Sequence, residues 1–181
     1  PKQKQQPQPQ KVVEAVVPDI SQMDIRVGKI VKVWKHPDSV KLFCEEVDIG
    51  GGEIRKIASG LQAHVPLERM QDALVIVLCN LKAKKLAGYE SHGMVLCGET
   101  EDKSVIELID APAGSEPGDL VSFEGHARTP PAALNTKKNP WDNVCPDLTI
   151  NEKGECQWKD ILLKTPKGVC TVATLRKGVI H

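Results

Sequence analysis

Three lysines lie within four positions of the chain, at Lys82, Lys84 and Lys85. Two apolar runs of strand length flank them, from Leu74 to Cys79 and from Met94 to Cys97. A loop that is fixed at both ends by buried strands holds its charges in a defined place, and binding residues often lie on such loops. Three ammonium groups at this spacing suit a polyanion, although a charged cluster of this kind can also be a solvated face without a ligand.

The residues around the lysines favour a binding loop over a plain solvated face. Asn80 follows the first apolar run, and Ser91, His92 and Met94 lead into the second. Gly88 lies between them and permits a tight turn. The segment therefore combines cations, polar groups and an apolar side chain within a frame of two strands.

The net charge of the chain does not indicate a partner, because 24 basic and 24 acidic side chains balance. The distribution of charge is more informative. Residues 19 to 125 carry twelve basic and eighteen acidic side chains, whereas residues 126 to 181 carry nine and five. The lysine cluster thus lies in an acidic part of the chain, where any basic surface must be concentrated locally.

The apolar patterns predict an all-β fold. With 40% hydrophobic residues in 181 the chain can form a sizeable core, and few of these residues are aromatic, so the core must be aliphatic. One or two helical turns are expected from Pro66 to Gln71. Five strands are expected around it: Ile25 to Trp34, Leu42 to Ile49, Glu53 to Ala58, Ala73 to Cys79 and Gly93 to Gly98. Five strands with a short helix between the third and fourth are the plan of an OB-fold barrel, which often binds oligonucleotides.

A second, C-terminal subdomain is predicted to pack on this barrel. The fourth strand is apolar at both odd and even positions, so its outer face should be covered. Two short strands should follow the barrel, a surface segment without regular structure comes next, and a hairpin should close the chain. These elements are expected at Ser104 to Ile109, Leu120 to Phe123, Gly125 to Pro140, and Asp160 to Lys164 paired with Val169 to Leu175. The expected divisions are a disordered linker over residues 1–18, a barrel over 19–125 and a C-terminal subdomain over 126–181.

The pattern N-L-K-x-x-K-x-x-G followed by S-x-x-M resembles the tRNA-binding domain family of endothelial monocyte-activating polypeptide II and related domains appended to aminoacyl-tRNA synthetases. Further motifs agree with this resemblance, which extends from about Ile20 to the end of the chain. They are D-I-R-V-G-K-I at Asp24 to Ile30, K-H-P-D at Lys35 to Asp38, E-E-V-D at Glu45 to Asp48, S-G-L at Ser59 to Leu61, and H-V-P-L-E-R-M at His64 to Met70.

The resemblance implies a tRNA-binding surface. The family motif implies Asn80, Lys82, Lys85, Ser91 and Met94 on this surface, and Lys84, His92 and Lys35 are the other candidates. Cations would bind phosphates, and the remaining groups would contact exposed nucleotides. Met94 could equally belong to the core. Ala83 and His92 depart from the usual family residues, which leaves loop rigidity and nucleotide preference open.

The resemblance also implies a setting for the domain. Its C-terminal region would imitate the dimer contact of shorter, homodimeric relatives, so the chain would be a monomer with a pseudo-dimeric shape. It would be cytoplasmic, and it would be appended to a methionyl-, lysyl- or tyrosyl-tRNA synthetase or associate with one, raising the local tRNA concentration. A scaffold role in a synthetase complex is an alternative.

A cytokine-like role is the other alternative. Some relatives are secreted after processing, and their activity is attributed to a peptide that matches Arg26, Val27, Gly28, Lys29, Ile30, Val31 and Lys32. A barrel strand accounts for every residue of this peptide, so RNA binding is preferred.

The sequence gives no indication of catalysis, of a cofactor or of a metal site. It has no G-x-S-x-G, P-loop, H-E-x-x-H or dinucleotide motif, and its five histidines lack ligand spacing. The six cysteines form no C-x-x-C pair and should be reduced and structural. No apolar run approaches the ~18 residues that a membrane span needs.

Overall fold

A curved antiparallel sheet forms the first half of the protein, whose computed structural model describes residues 17–181. The predicted linker therefore lies, up to residue 16, outside the described residues. The elements of the sheet and its helix are β1 (Ile25–Lys35), β2 (Phe43–Asp48), β3 (Ile54–Ser59), α1 (Leu67–Met70), β4 (Leu74–Leu78) and β7 (Met94–Val95). The strand order is β3-β2-β1-β4-β7, and the sheet is a nearly closed five-stranded barrel. The predicted OB-fold barrel with a short helix is confirmed.

The long strand β1 bends because it takes part in two pairings. Its first half pairs with β4 and its second half with β2, and the register with β2 shifts between Ile30 and Lys32. Gly28 immediately precedes Lys29, the residue at which the two pairings meet. A Cβ there would approach Val47 Cγ1 to 2.8 Å and Val77 Cγ2 to 3.0 Å, so the closure of the barrel leaves room only for glycine.

The strand β4 contributes to two separate cores. Val75 and Val77 pack inside the barrel, whereas Ile76 and Leu78 pack outside it among residues of the C-terminal region. All four side chains are fully buried. The prediction that the outer face of this strand is covered is confirmed.

A second sheet covers the barrel. Its strands are β8 (Cys97–Glu99), β9 (Ile106–Leu108), β10 (Leu148–Ile150), β11 (Cys156–Trp158), β12 (Ile161–Leu162) and β15 (Gly178–Ile180). Their order is β12-β11-β10-β15-β8-β9, so strands from both sides of residue 125 share one sheet. The strand predicted from Gly93 to Gly98 is divided between the two sheets. It divides because Leu96 N donates to Ile76 O, while the next amide, of Cys97, donates to His181 O.

Other C-terminal predictions hold only in part. The strand pair β13 (Lys164–Thr165) and β14 (Gly168–Val169) forms the predicted hairpin turn, and α2 (Trp141–Val144) is an additional short helix. Residues 120–123 make only isolated bridges. The segment from 125 to 140 does not simply lie on the surface, because Leu134 is buried and its amide donates to Asn80 O at 2.8 Å.

All six cysteines are free thiols, and burial raises the pKa of Cys79 and of Cys97 to about 12. Within residues 17–181, no helix is long and apolar enough to cross a membrane. The same residues contain no group of three or more His, Cys, Asp or Glu side chains placed to hold a metal ion.

Candidate nucleic-acid interface

The lysine-rich segment is a short β-hairpin and not an irregular loop. Its strands are β5 (Lys84–Leu86) and β6 (Tyr89–Ser91). The two residues between them, Ala87 and Gly88, have φ values of 49° and 81°. Positive φ at both central residues is the requirement of a two-residue type I′ turn, which matches the twist of the flanking strands. The lysines therefore lie on a small, regular platform.

Three contacts anchor the hairpin to the barrel. The Tyr89 hydroxyl donates to the Glu45 carbonyl oxygen on β2 at 3.1 Å, and its ring meets that of Trp34 edge-on at 5.9 Å. The Ser91 hydroxyl accepts from the Ala58 amide on β3 at 3.0 Å and donates to Gly93 O at 3.1 Å. Ser91 is thus buried and fully engaged with the backbone. It orients the hairpin and presents little surface to a ligand.

Successive side chains of β5 point to opposite faces, and this separates Lys84 from Lys85. Lys84 and Leu86 line a cleft beside the hairpin, whereas Lys85, between them, does not. Both lysines are exposed, and Lys85 pairs across the ladder with Glu90. Lys82, which precedes the hairpin, lines the same cleft as Lys84.

The cleft lies between the hairpin, the open end of β3 and the second sheet, and it has a volume of about 520 Å³. It contains two cations from the predicted set, Lys82 and Lys84, together with Ser91 and Met94. Its aliphatic lining is Leu61, Leu81, Leu86, Met94, Val95 and Ile106, and its other polar lining includes Ser59, Glu99, Thr136, Asn139 and His181. Met94 also packs against the outer core, as the alternative expectation for it predicted. The arrangement offers an apolar pocket with cations on one wall.

Asn80 is buried at 2% exposure and does not lie on this surface. Its Oδ1 accepts from the Asp24 amide at 3.1 Å, and its Nδ2 donates to Gln22 O at 2.8 Å and Pro131 O at 3.1 Å. Both amide hydrogens are used inside the protein. The side chain therefore ties the end of β4 to the N-terminal and C-terminal segments and fixes the chain shortly before Lys82.

Lys35 and His92 do not line the cleft. Lys35 is exposed at the end of β1. His92 is half-buried, its Nε2 lies 3.5 Å from Glu90 Oε1, and its amide donates to Lys56 O. A tRNA contact at either residue would have to lie outside the cleft.

The structure adds positions that the sequence reasoning missed. Arg55 on β3 donates from Nη1 to the carbonyl oxygens of Cys79 and His92, so it joins the two ends of the lysine-rich segment. Glu99 and His181 contribute a wall of the cleft from the second sheet. Nothing in the local sequence indicates these positions, because each depends on pairing between distant strands.

Comparison with known proteins decides the family. The model of the putative tRNA-binding domain family matches residues 25–120, more than half of the chain. The chain belongs to this family. In Arabidopsis thaliana, the cytoplasmic methionine–tRNA ligase is 41% identical over 97% of this tRNA-binding-domain chain and 22% of the enzyme. The Cricetulus griseus aminoacyl tRNA synthase complex-interacting multifunctional protein 1 is 40% identical over 90% of the chain and 45% of that protein. The chain thus spans less than half the length of these relatives.

A solved structure agrees with this assignment. The C-terminal domain of Plasmodium vivax p43 superposes on this tRNA-binding-domain chain with a TM-score of 0.84 and 34% identity. The superposition covers 91% of the chain and all of that domain. The barrel and the C-terminal sheet therefore occur together in that domain.

The peptide predicted to be cytokine-like, from Arg26 to Lys32, lies in β1 at the centre of the tRNA-binding-domain barrel. Val27, Gly28 and Ile30 are buried, and only Val31 and Lys32 are exposed. Arg26 forms a two-point ion pair with Asp24, whose carboxylate also binds Arg128. Burial alone would raise the pKa of Asp24, but the hydrogen bonds from Arg26 and Arg128 outweigh it and lower that pKa. The peptide is fixed on both edges by main-chain pairing, so little of it is accessible in the folded protein.

A buried acid lies inside the tRNA-binding-domain barrel near the cleft. Glu45 is fully buried, and burial raises its pKa to about 8. Its Oε2 accepts from the Ser59 hydroxyl at 2.9 Å, and Oε1 has no hydrogen-bond partner within the described part of the chain. Burial therefore favours the neutral, protonated form of Glu45.

Proposed function

We propose that this chain is a non-catalytic tRNA-binding module with little overall sequence preference. The observation that carries the proposal is the cleft that Lys82, Lys84 and Met94 line together. At an exposed nucleotide, a folded RNA offers a phosphate and an unstacked base. Cations can bind the phosphate, and the apolar pocket beside them can accept the base. The family assignment of the chain supports the same conclusion.

The binding energy should come mainly from phosphate contacts. Positive charge at the cleft and its hairpin comes from Lys82, Lys84 and Lys85. Lys32 and Lys35 on β1 supply further positive charge. If ~4 to 6 phosphates are neutralised, the log-log slope of affinity against salt should be about −3 to −5. Such binding depends on shape and backbone charge, and a domain of this kind can therefore serve many tRNAs.

The module should raise the local tRNA concentration for an aminoacyl-tRNA synthetase. The methionine–tRNA ligase relative is a long protein that contains a homologous segment. We propose that this chain is appended to, or associates with, a methionyl-, lysyl- or tyrosyl-tRNA synthetase in the cytoplasm. Tethering makes capture of the tRNA by the catalytic part effectively intramolecular, which raises the local concentration without new contacts at the active site.

The C-terminal region should make the module monomeric. This region covers the outer face of β4, where Ile76 and Leu78 lie. Without it, that face would be an apolar surface suited to a second subunit. We propose that the barrel within residues 19–125 and the sheet that residues 126–181 complete form a pseudo-dimeric pair. Sedimentation of the purified chain as a monomer would support this, and a concentration-dependent dimer would contradict it.

The direct test is binding of bulk tRNA by filter retention across a salt series. Replacement of Lys82, Lys84 and Lys85 by alanine should lower affinity at least tenfold and flatten the salt slope by about 2 to 3. The control is Lys153→Ala, which removes an exposed lysine far from the cleft in sequence. Unchanged binding by the triple variant would refute the proposal.

The alternative functions predict different results. A secreted cytokine-like domain should stimulate cell migration, and replacement of the three lysines should leave that activity unchanged. A scaffold of a synthetase complex should retain a partner protein in the absence of tRNA.

A further inference from the structure

The cleft contains a buried carboxylate that the phosphate contacts do not explain. Glu99 lies on β8 between Ile106 of β9 and Val179 of β15, and it is only 6% exposed. Glu99 lines the same cleft as Lys82 and Lys84. Phosphates would be repelled there, so this wall of the cleft must serve another part of a ligand.

The Glu99 carboxylate has unused acceptor capacity. Among residues 17–181, no group donates a hydrogen bond to it. His181 Nε2 lies 3.6 Å from Oε1, on a side chain that is 60% exposed. A carboxylate offers two oxygens that only accept hydrogen bonds, and neither oxygen of Glu99 is a fully enclosed atom without a partner, so both remain accessible. These oxygens can therefore accept hydrogen bonds from the N–H groups of a ligand in the cleft.

The walls between the lysines and Glu99 suit a flat apolar group. Leu81, Leu86, Met94 and Ile106 all line the cleft and are all half-buried, so each keeps part of its side chain open to it. A nucleobase is flat, and its edge carries donors and acceptors. A base inserted between these side chains would leave its phosphate at Lys82 and Lys84 and bring its edge to Glu99.

We propose that the cleft binds one unpaired guanine of an RNA strand, with Glu99 accepting from its N1–H and N2–H groups. Among the four bases, guanine presents two adjacent donors on its Watson–Crick edge, and these match the two oxygens of a carboxylate. Adenine and cytosine offer one amino group, and uracil offers one N–H between two acceptors that the carboxylate would repel. The inference rests on the proposed RNA-binding function and adds a base preference at one position.

The test uses the full 181-residue chain and fluorescent pentaribonucleotides with four uridines and one central variable base. Guanine should bind about tenfold more tightly than adenine or uracil, as expected for one two-point contact. Inosine keeps N1–H but lacks the N2 amino group, so it should lose most of this preference. This comparison needs no change to the protein, and equal affinities for guanine, inosine and uracil would overturn the inference.

Variants assign the preference to Glu99. Glu99→Gln should reduce the guanine-to-uracil ratio to about twofold or less, because an amide replaces one acceptor with a donor. Glu101→Gln, an exposed change of the same charge two positions away, should leave the ratio unchanged. A ratio retained by a folded Glu99→Gln chain would overturn the inference.

Binding of bulk tRNA distinguishes failure of the guanine site from failure of the proposed tRNA-binding function. Lysine-dependent binding of tRNA without any base preference in the pentamers would leave the proposed function standing and refute the guanine site. Absence of binding to both tRNA and pentamers would refute the proposed function itself.

Discussion

Lys84 lies directly opposite Ser91 across the β5–β6 ladder. Ser91 is buried, and its hydroxyl accepts a hydrogen bond from the Ala58 amide on β3 at 3.0 Å. The position of Lys84 in the cleft therefore depends on the Ser91 hydroxyl, which bonds to the barrel. Residues of the predicted binding motif thus divide into those that line the cleft and those that hold the hairpin in place.

Ser91→Ala should weaken both the fold and tRNA binding. The change leaves the Ala58 amide without its acceptor, and an unsatisfied buried donor costs about 1 to 3 kcal/mol of the free energy of unfolding. Urea denaturation measures this loss, and filter retention measures the loss of affinity. Ser122→Ala is the control, because Ser122 is exposed and should change neither quantity. Wild-type stability in the Ser91→Ala chain would contradict the positioning role.

Lys84→Ala should reduce tRNA affinity more than Lys85→Ala. Each change removes one positive charge from the same strand, so the long-range field changes equally. Only Lys84 lines the cleft, and the loss of a phosphate contact there should lower the magnitude of the salt slope by about 1. Salt titrations of the two variants make the comparison. Equal slopes would show that both lysines act only through the general field.

The fold was largely predictable because its strongest signals are local. The apolar residues at both parities of β4 indicated burial on two sides, and Val75 and Ile76 indeed pack in different cores. The division of the fifth strand was not predictable. It depends on Leu96 bonding to Ile76 while Cys97 bonds to His181, and these partners are remote in sequence.

The candidate site was predictable on one wall only. The lysines are adjacent in sequence, so their cluster was visible, although the alternation that separates Lys84 from Lys85 required knowledge that the segment is a hairpin. Asn80 follows an apolar run and is polar, but its burial depends on the remote carbonyl groups of Gln22 and Pro131. Glu99 reaches the cleft only because β8 joins the second sheet. Long-range pairing of this kind leaves no local pattern.

Arg128→Met should destabilise the protein by about 2 kcal/mol, because it removes one of two cations from the poorly exposed Asp24 carboxylate. Arg69→Met is the matched control, since the Arg69–Asp110 pair is exposed at 2.7 Å and should contribute less than about 1 kcal/mol. Urea denaturation at neutral pH compares them. The pKa of Asp24 is lowered in the folded protein, so its contribution should be lost as the pH falls through that value. Similar losses in the two variants would contradict a buried role for Arg128.

Glu45→Gln should remove a pH dependence of stability. Burial raises the pKa of Glu45 from its ordinary value of 4.5 to about 8. Between these values the unfolded chain loses the proton and the folded chain keeps it, so the folded state binds more protons and stability falls as the pH rises through this window. Urea denaturation at several pH values from about 5 to 8 should show this decline in the wild type and a flatter curve in the variant.

The matched control for this experiment is Glu46→Gln, since Glu46 is adjacent to Glu45 in the chain but only half-buried. Its stability curve should follow that of the wild type over the same range. Glutamine at position 45 keeps the volume of the side chain and can still accept a hydrogen bond from Ser59, so packing should be preserved and the two curves should differ mainly in slope. If the Glu45→Gln and wild-type curves were parallel, Glu45 would have to ionise as readily in the folded barrel as in the unfolded chain.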